Sequence, residues 1–274
     1  MLPSFEVRRT SNTGDHWRTT VRTPTAGSFT DQVVIVTGAG SGIGRATAEA
    51  YAEAGAYVLG VGRRAEALDK TAAAHTGIAA FPADITEEGG PERVVRAAVE
   101  RWGRLDVLVN NAGAFAVLPL AEATEDGIAR ILATNVTAPS LLARAALPHL
   151  KAARGAIVNV SSTYGHRPAP HAGHYAASKA ALEQLTRSWA VELAPDRIRV
   201  NGVAPGPTES EALAASGLPD AAIDRIKAEE AARIPLGRRG EPAEVAAWIV
   251  RLSDSHTAWL TGQILTVDGG LELL

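Results

Sequence analysis

A chain of 274 residues, 46% of them apolar, is long enough for one α/β domain with a substantial core. Its formal net charge of −3 argues against general nucleic-acid binding, and no apolar run approaches the length of a membrane-spanning helix. The absence of cysteine excludes disulfides, thiol nucleophiles and thiolate metal sites, which fits a reducing compartment and sets the expectation of a cytoplasmic protein.

Residues 1–30 stand apart. They hold Arg8, Arg9, Arg18 and Arg22 among many Ser and Thr, with no periodic apolar pattern. Without an apolar h-region the segment is no secretory signal, although its Arg/Ser/Thr bias loosely resembles an organelle transit peptide. A disordered N-terminal extension, or a start placed too far upstream, is the favoured reading, with Trp17 and Phe29 as the side chains that would dock it on a neighbour.

From Asp31 onward strands and helices alternate. The predicted strands are Val33–Thr37, Tyr57–Val61, Ile78–Pro82, Leu105–Asn110, Ala156–Ser161, Arg199–Val203 and Ile264–Val267. Alternation of this kind implies right-handed crossovers and a single-domain, Rossmann-like, doubly wound parallel sheet of about seven strands over 31–274, with helices on both faces. Ligands of such sheets sit beyond the carboxyl ends of the strands, which places Gly38, Arg63, Asp84, Asn111, Ser162 and Pro205 along one edge.

The first strand runs into Gly38-Ala39-Gly40-Ser41-Gly42-Ile43-Gly44 and then into Ala-rich helical sequence. The open N–H groups at a helix start, and its dipole, favour an anion, and glycine lets a phosphate approach the backbone. Gly38, Ser41, Gly42, Ile43 and Gly44 are therefore the candidate phosphate loop. The strict G-x-G-x-x-G pattern fails, because the sixth position from Gly38 is Ile43. The T-G-x-x-x-G-I-G spacing instead resembles the short-chain dehydrogenase/reductase family.

The second strand ends in Gly62-Arg63-Arg64. An NAD site places a carboxylate here for the ribose 2′-OH, whereas a guanidinium binds a 2′-phosphate. With no acid at Gly62, NADP is the favoured cofactor and NAD the less favoured one, with Arg63 the better phosphate ligand and Arg64 its neighbour. Asp84 and Ile85 follow the third strand. The resemblance implies that they meet the adenine, while Asp84 or Thr86 could instead cap the next helix. After the fourth strand, Asn111-Ala112-Gly113 completes an Asn-Asn-Ala-Gly run that is similar to the family's second signature. There Asn111 would stabilise the sheet edge and Ala112-Gly113 would leave room for the cofactor.

The fifth strand leads to Ser162, and thirteen residues later come Tyr175 and, four further on, Lys179. That spacing puts both side chains on one helix face. A free tyrosine has a pKa of about 10, too high for a base at neutral pH, and a nearby ammonium would lower it. Tyr175 would then exchange a proton with a carbonyl or alcohol oxygen, which Ser162 would hold in place. Asn135, in a helical stretch, would need buried partners. The resemblance implies the tetrad Asn135, Ser162, Tyr175 and Lys179, with Asn135 holding a water linked to Lys179, which would also bond the nicotinamide ribose. His166, His171 and His174 are read as loop or substrate-pocket residues, and no metal is expected.

Pro205-Gly206 resembles the family turn beside the nicotinamide, with Ser210 in the place of a threonine that contacts the carboxamide and Thr208 as its rival. About 207–236 is read as the substrate lid, where Leu213, Leu218 and Ile223 would line a pocket or form helix core. A helix then starts near Pro242. The last strand implies, by resemblance, a homotetramer or dimer. The expected activity is hydride transfer between NADPH or its oxidised form and a small ketone or secondary alcohol. Within the same class, the rival is reduction of β-ketoacyl groups on a carrier protein, docking on Arg130, Arg167 or Arg187. From another class, the rival is a catalytically silent NADP sensor.

Overall fold

The structure, a computed structural model, describes residues 27–210 and 219–274. Arg8, Arg9, Trp17, Arg18, Arg22, Leu213 and Leu218 lie outside the described residues.

Seven strands form one parallel sheet in the order β3-β2-β1-β4-β5-β6-β7. They are β1 Val33–Thr37, β2 Tyr57–Gly62, β3 Ile78–Pro82, β4 Val107–Asn110, β5 Ala156–Val160, β6 Arg199–Pro205 and β7 Ile264–Val267. The β-branched runs make central strands buried on both faces. Val34 and Val36 of β1 belong to one core with Ala48 and Tyr51 of α1 (Gly42–Glu53) and Val245 and Ile249 of α8 (Pro242–Ser253). Val33 and Ile35 point the other way, onto Val94 of α3 (Gly90–Trp102) and Leu142 of α5 (Ala138–Ala153). The remaining helices are α2 Ala65–Ala74, α4 Glu125–Leu132, α6 Gly173–Glu192 and α7 Asp220–Arg233. The chain reverses its winding direction between β1 and β4, which opens a crevice at their carboxyl ends.

β2 runs one residue further than the sequence reading, to Gly62, and β5 stops one sooner, at Val160, while three other boundaries differ for a local reason. β4 starts at Val107 because Asp106 is occupied: its carboxylate accepts the Val33 N–H at 2.8 Å and the Arg104 guanidinium at 2.6 and 2.9 Å. β6 runs on to Pro205 because Ala204 and Pro205 still pair with Thr266 and Val267 of β7. Phe29 is buried edge-on against Tyr51 at 5.1 Å between ring centroids, and its N–H bonds the Ala54 carbonyl. The domain boundary expected at about residue 30 thus falls inside a core contact, and Phe29 serves the domain itself. Helix α8 starts with Pro242 in its first turn, and a reciprocal Glu241–Glu244 cap closes it.

Candidate active site

At the carboxyl edge of the sheet lies a cleft of about 1120 Å³. Gly38, Ser41, Gly42, Ile43, Gly44, Arg63, Arg64, Asp84, Ile85, Asn111, Ala112, Gly113, Ser162, Tyr175, Lys179, Pro205, Gly206, Thr208 and Ser210 all line it. Of the catalytic and cofactor residues expected from sequence, Asn135 alone does not line the cleft.

One end of the cleft is a backbone cradle. Gly38 and Gly42 have φ of +70° and +50°, where a side chain would be strained. A β-carbon on Gly44 would sit 2.2 Å from the Gly38 carbonyl oxygen, so glycine alone lets α1 start this close to the end of β1. Ser41 occupies the N-cap without a side-chain capping bond, and no acid stands in the first turn of α1. A helix start built this way is suited to an anion rather than to one of its own side chains. Thr37, which the sequence reading passed over, braces the facing turn. Its hydroxyl accepts the N–H groups of Asn111 and Ala112, both at 3.0 Å, and Asn111 Nδ2 returns a bond to the Thr37 carbonyl at 2.8 Å.

Gly62 ends β2 without a carboxylate, and Arg63 and Arg64 lie at the adjoining end of the cleft, both exposed. Arg64 reaches back to Ser41 Oγ at 3.3 Å. Asp84 does not cap α3, which begins only at Gly90 after Gly89. Its carboxylate instead closes a turn on the N–H and hydroxyl of Thr86, at 2.8 and 2.6 Å. Those bonds, with Arg63 adding to them, hold the carboxyl below its usual range.

At the other end the candidate catalytic residues Ser162, Tyr175 and Lys179 meet. Lys179 is 3% exposed, and its ammonium donates to the Val160 carbonyl at 2.8 Å while lying 5.9 Å from the centre of the Tyr175 ring. Burial pulls its pKa down to about 8. Burial also pushes the Tyr175 phenol above its ordinary value, with Ser162 drawing it partly back. The expectation that Lys179 lowers Tyr175 does not hold for the protein alone: burial is the largest cause of the shift, the charge of Tyr164 adds to it, and only the Ser162 hydrogen bond opposes it. Ser162 Oγ also accepts the Tyr164 N–H at 3.2 Å, which fixes the turn that follows β5.

Asn135 is fully buried in a π-helical turn, Ala133–Thr137, between α4 and α5. Its amide is saturated: Oδ1 accepts the Ala114 N–H at 2.8 Å, and Nδ2 donates to the Ala114 carbonyl at 3.0 Å and to Ser178 Oγ at 2.9 Å. It anchors the loop after Gly113 to α6. The far end of that loop is tied by the Leu118 N–H to the His171 carbonyl at 2.7 Å. Between the two ties Phe115, 62% exposed, stands edge-on to Tyr175 with centroids 5.0 Å apart, and Val117 and Leu118 extend an apolar wall along the cleft. Nothing in the sequence marks Phe115 beyond its being an aromatic residue two places after Gly113.

Gly206 admits the Asp268 side chain, which a β-carbon would meet at 2.6 Å. Thr208 uses its hydroxyl on the Gly206 carbonyl at 3.0 Å, whereas the Ser210 side chain lies beside Gly42. Glu209 binds Lys227 of α7 at 2.6 Å and Arg239 at 2.8 Å, and Arg239 also pairs with Glu230, which lines the cleft. These ion pairs fasten α7 to the segment that carries Thr208. Ile223 is buried and faces away from the cleft, so of its two readings the core one holds. His166, His171 and His174 do not line the cleft, which corrects the substrate-pocket reading, and no metal-binding group of side chains occurs among the described residues.

The family model described as enoyl-(acyl carrier protein) reductase matches residues 38–272. The 3-oxoacyl-[acyl-carrier-protein] reductase FabG of Thermotoga maritima is 38% identical over 249 residues, covering 88% of this chain and 98% of that one. A cis-4-hydroxycyclohexanecarboxylate dehydrogenase of Sinomonas cyclohexanicum is 41% identical over 249 residues, covering 89% and 97%. Among solved structures, a short-chain dehydrogenase/reductase of unknown function from Caenorhabditis elegans, solved with cofactor, superposes with a TM-score of 0.85 at 36% identity over 90% of this chain and 97% of that one.

Proposed function

The chain belongs to the short-chain dehydrogenase/reductase family and is an oxidoreductase of CH–OH groups and ketones working with NAD(P); from this we propose that it uses NADPH and its oxidised form on small ketones and secondary alcohols, with Tyr175 as the proton donor and acceptor. The observation that carries the reading is the meeting of Ser162, Tyr175 and Lys179 in the cleft that also holds the glycine cradle. The cradle fits a dinucleotide pyrophosphate, since Gly38, Gly42 and Gly44 line the cleft at the start of α1, where Ser41 makes no side-chain cap and no acid stands in the first turn. Arg63 and Arg64 fit a 2′-phosphate, and Asp84 and Ile85 border the adenine end. The bound nicotinamide supplies or accepts the hydride.

This chain's own residues do the rest. Ser162 donates to the substrate oxygen and holds it against Tyr175. In the reducing direction Tyr175 gives its phenolic proton to that oxygen as it gains charge, and in the oxidising direction it takes the proton back. Lys179 places a cation beside the ring, where it stabilises the tyrosinate left behind. Asn135 keeps the loop wall and α6 in register around these groups. Phe115, Val117 and Leu118 offer the substrate an apolar wall, which suits a hydrocarbon body on the carbonyl carbon.

Of the basic residues that a carrier protein would need, Arg167 bonds the carbonyls of Leu271 and Leu274 and Arg187 pairs with Glu183, leaving Arg130 on the cleft. That arrangement favours a free small molecule over a carrier-bound acyl chain. The test is turnover of a panel of alicyclic, aromatic and short aliphatic ketones and alcohols by wild type and Tyr175→Phe. The variant should bind NADPH as wild type does and lose at least a hundredfold in kcat. Full activity in Tyr175→Phe would refute the assignment, and binding without turnover in wild type would point to a sensor.

A further inference from the structure

Tyr175, Lys179 and Glu183 recur at every fourth residue of α6, on the face turned toward the end of β5. The first two belong to the chemistry just described. Glu183 does not, yet it is a carboxylate only 3% exposed. A charge is costly to bury unless its partners are well placed, and those of Glu183 lie around the catalytic serine. Its Oε1 accepts the Ser161 hydroxyl at 2.9 Å and lies 3.1 Å from His166 Nδ1, and its Oε2 is 3.5 Å from Arg187. A β-carbon on Gly165 would meet Oε1 at 2.3 Å, so the turn after β5 wraps directly onto this carboxylate. Three consecutive residues are thereby placed: Val160 by Lys179, Ser161 by Glu183, and Ser162 between Ser161 and the turn that Glu183 holds.

The grip continues to the chain end. His166 Nε2 bonds Glu272 Oε2 at 2.5 Å, and Thr266 donates to the same oxygen at 2.9 Å. Burial pulls His166 down, but its bonds to Glu183 and Glu272 more than reverse this, so the ring is held toward its charged, doubly donating form. Leu271, next to Glu272, lines the cleft.

We propose that Glu183 is a positioning residue for the reaction: through Ser161 and the turn to His166 it holds Ser162 in line with Tyr175, and through His166 it fastens the C-terminal segment that carries Leu271 against the cleft. This rests on the functional reading above and adds to it a residue that touches neither substrate nor cofactor.

The test is a double-mutant cycle. Glu183→Gln, nearly the same shape without the charge, should lower kcat about tenfold, since small misplacements of a reacting group carry losses of this order or more. The NADPH Kd should stay within twofold. On a Ser162→Ala background the same substitution should cost nothing further, because its route of action has gone. His166→Ala, at a partly exposed position, tests the same path where folding is safe: a smaller loss of kcat in wild type, and none beside Ser162→Ala. A loss that persists undiminished without Ser162, an NADPH Kd that rises in step with it, or wild-type kcat in both variants would overturn the proposal while leaving the oxidoreductase reading intact. A wild type that turns over no ketone or alcohol, in contrast, would remove both.

Discussion

Removing Arg63 should separate the two nicotinamide cofactors. Gly62 offers no carboxylate to bind a free 2′-OH or repel a 2′-phosphate, so a preference for NADPH would rest on the two guanidiniums. They are not equivalent, because Arg64 is drawn back toward Ser41 and starts α2, whereas Arg63 stands beside Asp84 at the cleft mouth. A charge-assisted hydrogen bond contributes about 1.5–3 kcal/mol, and exposure to water puts Arg63 at the lower end. Arg63→Ala should therefore cost about 1.5 kcal/mol in NADPH binding, a rise of roughly tenfold in Kd, with NADH changed less than twofold. Arg64→Ala should move NADPH by a smaller factor. The contrast should shrink at high salt, since the pair is solvent-accessible. Fluorescence titration of both cofactors into the three proteins measures it. Parallel weakening of NADPH and NADH, or wild type binding both alike, would refute the phosphate-clamp argument.

Other substitutions probe the cleft wall and floor. Burial lowers Lys179 to about 8 from 10.5, so between these values the unfolded chain holds a proton that the native one has shed, and stability rises with pH across that window. Below it the buried ammonium costs about 3 kcal/mol, of which the lost bond to Val160 returns about 1. Lys179→Met should thus be about 2 kcal/mol more stable than wild type at pH 7, lose that advantage toward pH 10, and be nearly inactive; urea titrations at both pH values check it, and equal stability at pH 7 would count against the argument. Asn135→Ala leaves the N–H and carbonyl of Ala114 without partners and should cost about 2–4 kcal/mol, against which a loss under 1 kcal/mol in urea would show the loop to be held elsewhere. Phe115→Ala should raise KM for alicyclic and aromatic ketones about tenfold and leave short aliphatic ones nearly unchanged, and a uniform change would show that the wall does not contact the substrate.

The parts of the site that chemistry ties to a fixed local spacing could be read from the sequence. Gly38, Gly42 and Gly44 lie within one turn, and Tyr175 and Lys179 within one turn of helix, so residue type and spacing carried the information together. The parallel sheet with helices on both faces followed from alternation alone, because buried parallel strands are β-branched runs joined by crossovers, whereas the order of its strands came from the structure. Features fixed by distant partners were not legible. Phe29 looked like part of a tail because Tyr51, its partner, lies across the core. The cap that Asp84 or Thr86 offered as an alternative to the adenine contact does not form, because the turn Asp84 closes on Thr86 delays α3 until Gly90. His166 is a loop residue, one of the two readings its sequence left open, but its partners Glu183 and Glu272, 17 and 106 positions away, could not be read. The proton-transfer pKa is a similar case: nearness to Lys179 could be read from spacing, but the burial that raises Tyr175 could not.

That burial shapes the pH dependence expected of each direction of the reaction. Desolvation favours the neutral form of both groups, raising the acid Tyr175 and lowering the base Lys179. At neutral pH the phenol therefore keeps its proton, which is the form that carbonyl reduction consumes, while alcohol oxidation must begin from the tyrosinate. The sign follows directly. Reduction should be independent of pH through the neutral range and fall as pH rises, first as Lys179 sheds its charge near 8 and then as Tyr175 ionises. Oxidation should climb with pH over the same range, because the reactive tyrosinate fraction grows about tenfold per pH unit below its pKa. Rate profiles of kcat/KM in both directions on one ketone–alcohol pair would show the two limbs crossing. An oxidation rate that is flat from pH 6 to pH 9 would mean that the proton is carried by a group other than Tyr175.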